Sequence, residues 1–547
     1  MNKPKSKAIF DDHDFPISVI RQTIFTGNGT ELEEARKRPL IAIANSQTDI
    51  NPGHMHLGSL ASRVKEGILE EGGIPFEFNV PGPCDSIAEG NEGMRFILPQ
   101  RDLIADIIET HVRSMLYDGI VFICSCDKII PGMIMAAARL QLPAIFLTGG
   151  PNAFPIRYRP AMNGSVNHEA YPDMEDKLAC GTCATCGACE YMGTANTMQC
   201  LTEALGLALP RSANTPAFHQ EKIVFARKSG RRIVSLVEEG LTIDKILTMK
   251  AIENALMVDL AIGGSTNVAL HLSAIAQACG LKLPLAAFND YNKKIPTLCP
   301  INPNGSYGVI DLYVAGGIPA VMKRLETDLH LDAMTVSGQT IGEITQSAKI
   351  HNERVIMPKD KPLLPEGGTV VLFGNLAPEG AVIKQSAVAK EMLQFTGTAL
   401  VFESEAECLL ALRGGILKDG NVVVIRNEGP KGGPGMPETV AITLALGLSP
   451  LRKVALITDG RFSGSSFGPC VGHVSPEAAV GGPIAALRNG DEITIDVPAR
   501  KINVKLSDEE IESRLKDWQP VVRDIPLGYM RRYVKYVSSA AHGAVME

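Results

Sequence analysis

No apolar run in the chain approaches the roughly 18 residues that a membrane-spanning helix needs, so a membrane protein is not expected. The first residues, Met1 to Pro16, are polar, carry charges of both signs and lack an apolar h-region. That argues against a secretory signal and makes the cytoplasm the expected compartment. Positive charge is not in excess: 53 Lys and Arg face 60 Asp and Glu, for a net charge of −7. A broad polyanion-binding surface is disfavoured, and with it nucleic acid as a partner. Twelve cysteines in 547 residues are few for a disulfide scaffold, so clustering among them points to metal or redox ligation. Repeats and low-complexity tracts are missing. The Gly-rich stretch Gly429 to Glu438 lacks the G-x-x-x-x-G-K-[ST] order of a phosphate-binding loop. It reads instead as a close-approach loop that ends in a usable carboxylate, Glu438.

What remains is an ordinary globular composition, 45% hydrophobic and 21% charged, in a chain long enough for two cores. Pro39 to Ala44 predicts a buried strand. Leu57, Leu60, Val64 and Ile68 have helical spacing within residues 55–71, and Pro75 to Val80 predicts a second strand. A loop with Cys84-Asp85 follows. The pattern then repeats, with an apolar stripe over 101–117, a strand at Gly119 to Cys124 and the turn Ser125-Cys126-Asp127-Lys128. Next come a helix over 132–140 that Pro131 opens and a strand at 143–147. The expected class is α/β, with a parallel-sheet N-terminal domain over residues 1–360. Short strands after residue 365 and a hairpin within Glu492 to Leu506 predict a smaller β-rich domain over 366–547. Ligands of parallel α/β sheets bind beyond the carboxyl ends of the strands, where both Cys-Asp pairs fall, so the two loops are expected to face one site.

The densest chemical signal is Cys180-x2-Cys183-x2-Cys186-x2-Cys189. As a self-contained site, a ferredoxin-like cluster or a zinc knuckle, it would leave Cys84 and Cys126 unexplained, and in the cluster form it would make the chain an iron–sulfur electron carrier. The alternative takes one cysteine from each of three loops, Cys84, Cys126 and Cys189, and keeps one metal position open for Lewis-acid chemistry. Asp85 and Asp127 beside thiolates suggest a second, harder cation such as Mg²⁺; their other reading is as helix caps. His54 and His56 form an H-x-H pair whose ordinary role is local hydrogen bonding. Gly263-Gly264-Ser265-Thr266-Asn267 reads as a helix N-cap or a carboxylate-binding loop. Ser463, in Asp459-Gly460-Arg461-Phe462-Ser463-Gly464, lacks the G-x-S-x-G context and by itself reads as a turn residue.

Several collinear motifs carry a resemblance: Cys126-Asp127-Lys128 with Pro131-Gly132-Met133, Thr194 to Met198, Gly263 to Asn267, Gly374 to Pro378, Gly432 to Glu438, Asp459 to Gly464, and Gly472 to Ala478. By these the chain resembles, nearly end to end, the family of dihydroxy-acid dehydratase, 6-phosphogluconate dehydratase and the aldonic-acid dehydratases. The resemblance implies a C-terminal β-barrel-like domain, an active site between the two domains, and a homodimer or a dimer of dimers (homotetramer). It implies dehydration of a small 2,3-dihydroxy acid to a 2-oxo-3-deoxy acid. Cys126 and Cys189 match the family's cluster ligands. Asp85, Asp127 and Glu438 match its Mg²⁺ ligands, Lys128 its carbamylated lysine, and Ser463 its proposed base. Many dihydroxy-acid dehydratases carry a ligand cysteine where this chain has Gly53, whereas the 6-phosphogluconate branch carries one at the position of Cys84. Cys84 is therefore assigned as third ligand, which favours 4Fe-4S over 2Fe-2S. Leu201 to Pro210 and Asp311 to Lys323 resemble the branched-chain enzymes, while Gly193 resembles the aldonate enzymes and is expected to leave room for a polyol.

Overall fold

The computed structural model describes residues 5–10, 13, 15–153, 185–464, 466, 468–521, 523–525 and 527–547. Strands β1 (Leu40–Asn45), β2 (Ile74–Asn79), β3 (Gly119–Cys124) and β4 (Ala144–Thr148) form one parallel sheet in the order β2-β1-β3-β4. Helices α1 (Leu57–Glu70), α2 (Pro99–Met115) and α3 (Ile129–Leu140) are the crossovers. β1, β3 and β4 are buried throughout, as expected of continuous apolar strands covered on both faces. β2 begins one residue earlier than its apolar run suggests. α3 begins at Ile129, so Pro131 sits inside its first turn rather than opening it. A first-turn proline costs nothing there, because those N–H groups have no intrahelical acceptor.

Further helices thicken this half: α4 (Thr194–Ala204), α5 (Gln220–Glu239), α6 (Met249–Ile262) and α7 (Val268–Ala278). α1 and α5 touch backbone to backbone. A Cβ at Gly67 would lie 2.1 Å from the Arg227 carbonyl oxygen, and one at Gly230 would lie 2.1 Å from that of Val64.

The second sheet has eight strands: β5 (Thr369–Leu372), β6 (Gly380–Lys384), β7 (Gln394–Phe402), β8 (Asn421–Ile425), β10 (Ala455–Thr458), β12 (Cys470–Ser475), β13 (Glu492–Asp496) and β14 (Lys501–Val504). Their order is β14-β13-β7-β8-β10-β12-β6-β5. The two ends meet where Phe373 N donates to Arg500 O at 3.0 Å and Ile502 N donates to Phe373 O at 3.1 Å. The sheet is therefore nearly closed into a barrel around Val370, Leu372, Ile383, Val424, Ile457 and Ile495. The expected hairpin is β13–β14. Two further strands of two residues each, β9 (Glu438–Thr439) and β11 (Arg461–Phe462), pair outside the barrel.

The two halves are stitched together. Asn289, on a helix of the first half, donates from Nδ2 to Val371 O at 2.8 Å and accepts from Val371 N at 3.0 Å. Asn292 Nδ2 donates to Gly367 O and Thr369 O at 2.8 and 2.7 Å. Among the described residues no helix is long and apolar enough to cross a membrane.

Candidate active site

Cys84-Asp85 follows β2 and Cys126-Asp127-Lys128 follows β3, so both pairs lie at the carboxyl end of the sheet, as the topology requires. The chain turns sharply after β3 because Cys126 adopts left-handed backbone, φ 59°, a costly conformation for a residue with a Cβ. The barrel half supplies the rest through β9 and β11. Their parallel register sets Arg461 beside Glu438 and Phe462 beside Thr439, which leaves Ser463 next in line.

Carboxylate oxygens of Asp85, Asp127 and Glu438 all lie within 4.8 Å of one another. Lys128 Nζ, wholly buried, is 2.7 Å from Asp85 Oδ2, 2.6 Å from Asp127 Oδ1 and 3.5 Å from Glu438 Oε1. Glu438 Oε1 also accepts from Arg461 Nη1 at 2.5 Å and Asn267 Nδ2 at 2.7 Å, and His271 Nε2 is 3.3 Å from Asp127 Oδ1. Three carboxylates against two cations leave one negative charge in excess, in a place where uncompensated charge is costly. Burial pushes the Asp85 carboxyl up to about 7 despite Lys128. For Glu438 burial acts the same way, but Lys128 and Arg461 outweigh it and hold the carboxyl below its usual range. Asp85 Oδ1 is buried with no hydrogen-bond partner among the described residues. An all-oxygen, net-negative set with a spare lone-pair donor fits a hard divalent cation.

Cys84, Cys126 and Cys189 line the same cavity as Asp85, Asp127, Glu438 and Ser463. Burial and then the neighbouring Cys84 raise the Cys126 thiol well above its ordinary value, with Cys189 adding to the effect. Thiols that close together and half-buried fit a shared cluster. Cys189 is held by its neighbours: Ala188 N donates to Gly150 O at 2.9 Å, Gly187 N donates to Pro52 O at 3.0 Å, and Asn196 Nδ2 donates to Cys189 O. Gly53 lies over the thiols, since a Cβ there would be 3.1 Å from Cys126 Sγ. Cys186 is half-buried and not among the residues lining this cavity. Cys180 and Cys183 fall outside the described residues.

Other expectations resolve one by one. Neither Asp85 nor Asp127 caps a helix: Cys84 and Lys128 occupy the N-cap positions, without side-chain cap bonds. Asn267 does hold the N-cap of α7, yet its side chain reaches Glu438 and Thr194 Oγ1 instead of capping. His54 Nδ1 bonds Ser46 O at 2.6 Å and His56 Nε2 bonds Gly149 O at 3.0 Å, so each imidazole ties its loop to a strand end. In the Gly-rich loop, Lys431 N and Gly432 N donate to the Glu477 carboxylate at 2.9 and 2.8 Å. The close approach is at Gly435 (φ 83°), where a Cβ would collide with Arg95 O. The room expected beside Gly193 is taken: a Cβ there would lie 2.6 Å from the Tyr191 ring, which itself lines the cavity. Sequence reasoning missed Arg461, Asn267, His271, Glu89 and Tyr191 as site residues, although the first two lie inside motifs it had singled out.

Residues 38–344 match the family model described as Dihydroxy-acid/6-phosphogluconate dehydratase N-terminal, and residues 354–544 match its C-terminal counterpart. A dihydroxy-acid dehydratase of Caldanaerobacter subterraneus subsp. tengcongensis is 49% identical over 525 residues, 94% of each chain. One of Methanococcoides burtonii is 49% identical over 93% of this chain and 95% of its own. One of Ignicoccus hospitalis is 46% identical over 94% and 96%. The chain belongs to the dihydroxy-acid/6-phosphogluconate dehydratase family and is a dehydratase, a hydro-lyase.

Proposed function

We propose that the protein converts 2,3-dihydroxyisovalerate to 2-oxoisovalerate, a step of branched-chain amino-acid synthesis, as the names of its relatives suggest. The observation that carries this reading is the convergence of three carboxylates, three thiols and Ser463 on one cavity between the two halves. An iron–sulfur cluster on Cys84, Cys126 and Cys189, 4Fe-4S in preference to 2Fe-2S, and Mg²⁺ on Asp85, Asp127, Glu438 and carbamylated Lys128 would supply the Lewis acidity that a poor leaving group and a weak carbon acid need.

The chain's own residues do the rest. Ser463 Oγ takes the C2 proton, as an alkoxide favoured by nearby positive charge. Arg461 and Asn267 fix the Glu438 carboxylate so that it does not turn away. Lys128 stands amid three carboxylates, where a divalent cation would also sit. As a carbamate it would change from opposing that cation to binding it. The enol that leaves then tautomerises to the 2-oxo acid.

A second reading, a sugar-acid dehydratase, is favoured by Glu89, which lines the cavity together with Ser86. A carboxyl there accepts hydrogen bonds from substrate hydroxyls and offers nothing to methyl groups. We further propose a cytoplasmic homodimer or dimer of dimers. The apolar side chains exposed at Phe15, Ile17, Ile20 and Ile24 give such an assembly a surface.

The test is anaerobic purification followed by assay of 2,3-dihydroxyisovalerate against a panel of aldonates, with Ser463→Ala alongside. Turnover of the dihydroxy acid that disappears in Ser463→Ala with iron retained is the expected result. Turnover of neither class by iron-loaded protein overturns the proposal.

A further inference from the structure

Ser463 borders two cavities. One holds the carboxylates and thiols; the other, of ≈ 10 Å³, is lined by Thr266, Lys384, Ser466, Cys470 and Gly472 among others. A space of that size holds about one water, provided it has two to four polar partners; Ser463, Lys384, Ser466 and Thr266 offer them.

Lys384, the last residue of β6, is buried, and among the described residues its Nζ has no hydrogen-bond partner. The charged group facing it is Asp259, in the last turn of α6, whose two carboxylate oxygens are likewise buried and without partners. Asp259 lies beneath the loop that carries Thr266, since a Cβ on Gly264 would meet Asp259 Oδ1. Buried groups of opposite charge that attract without a direct hydrogen bond are most simply joined through water. Burial pushes the Lys384 ammonium down to about 8 and the Asp259 carboxyl up to about 8, each opposed by the other.

We propose that Lys384 is a positioning residue for the catalytic base: one ordered water in the second cavity accepts from its ammonium and donates to Ser463 Oγ, stabilising the alkoxide. Asp259 keeps Lys384 charged. No bond to the substrate is made or broken by either residue. The cavity is too small for a substrate group, and Lys384 does not line the cavity of the carboxylates. The proposal rests on reading Ser463 as the base.

Two variants test it. The Lys384→Met/Asp259→Asn double variant removes the pair without leaving a buried charge unpaired. Gly472→Ala leaves the pair intact and adds a methyl group to a residue that lines the second cavity, where the Cβ would meet nothing closer than 3.4 Å, at Phe462; it is meant to crowd the water. In iron-loaded protein of normal thermal stability, each is expected to lower kcat on the order of 10²-fold with KM little changed. Each should also raise the isotope effect with C2-deuterated substrate and move the acid-side limb of the kcat pH profile to higher pH. Lys384→Arg should retain most of the activity. Near-normal kcat and an unmoved limb in Gly472→Ala overturn the proposal, even if the double variant fails to fold. Turnover retained by Ser463→Ala instead sinks the base assignment, an outcome separate from failure of the Lys384 role alone.

Discussion

Lys128 Nζ lies 2.7 Å from Asp85 Oδ2, across 43 residues of chain, because the loops after β3 and β2 lean toward each other over the intervening β1. Lys128→Arg preserves the charge but cannot become a carbamate. Turnover should fall on the order of 10²-fold or more, and a ¹³C carbamate signal from wild-type protein under ¹³CO₂ should vanish in the variant. An equal signal in both would remove Lys128 from the metal site.

Cys84→Ser, Cys126→Ser and Cys189→Ser should each lose most of the iron and sulfide measured after anaerobic purification, whereas Cys186→Ser should keep both. Iron retained by Cys84→Ser but lost by Cys186→Ser would favour the local cysteine run over the dispersed set.

Glu89 sets an expectation for substrate choice. If sugar acids are turned over, Glu89→Met should lower kcat/KM for them by roughly 10-fold to 100-fold, the loss of a hydrogen bond to a charged acceptor. The value for 2,3-dihydroxyisovalerate should hold or rise. Parallel losses for both classes would make Glu89 a general rather than a selective residue.

His54 predicts acid sensitivity. Burial holds its imidazole down to about 4, although the Ser46 carbonyl pulls the other way. The unfolded chain takes up this proton near pH 6.5 and the folded one does not. The resulting stability is present in full above about pH 6.5 and declines as pH falls toward 4, by about 3 kcal/mol for this residue. His54→Asn, whose amide can still donate to Ser46 O, should flatten that slope in unfolding midpoints measured between pH 7 and 4.5. An unchanged slope would mean that other groups govern it.

Much of this was legible in the sequence because it is local. The strands β1, β3 and β4 are continuous apolar runs, and a parallel sheet sends the loops that follow its strands to one end. Cys84, Asp85, Cys126 and Asp127 could therefore be brought together from the sequence alone. Strands β9 and β11 could not be read this way, since two residues carry no periodicity. They exist because Glu438 and Arg461 pair side chain to side chain in a buried setting. Lys384 and Asp259 escaped notice for a related reason: each sits alone in an apolar segment, and only the approach of the barrel to α6 makes them a pair. Asn267 misled in the other direction, because its N-cap position is real and its side chain is used elsewhere.

The contact between Asn289 and Val371 bears on how such a chain can be taken apart. Asn289 offers its amide where a neighbouring strand would offer backbone, so β5 is satisfied by a residue from the other half. Expressed by itself, the barrel would present that stretch as a bare sheet edge open to pairing with another copy. An exchange of halves between relatives is expected to need this asparagine and its helix carried along.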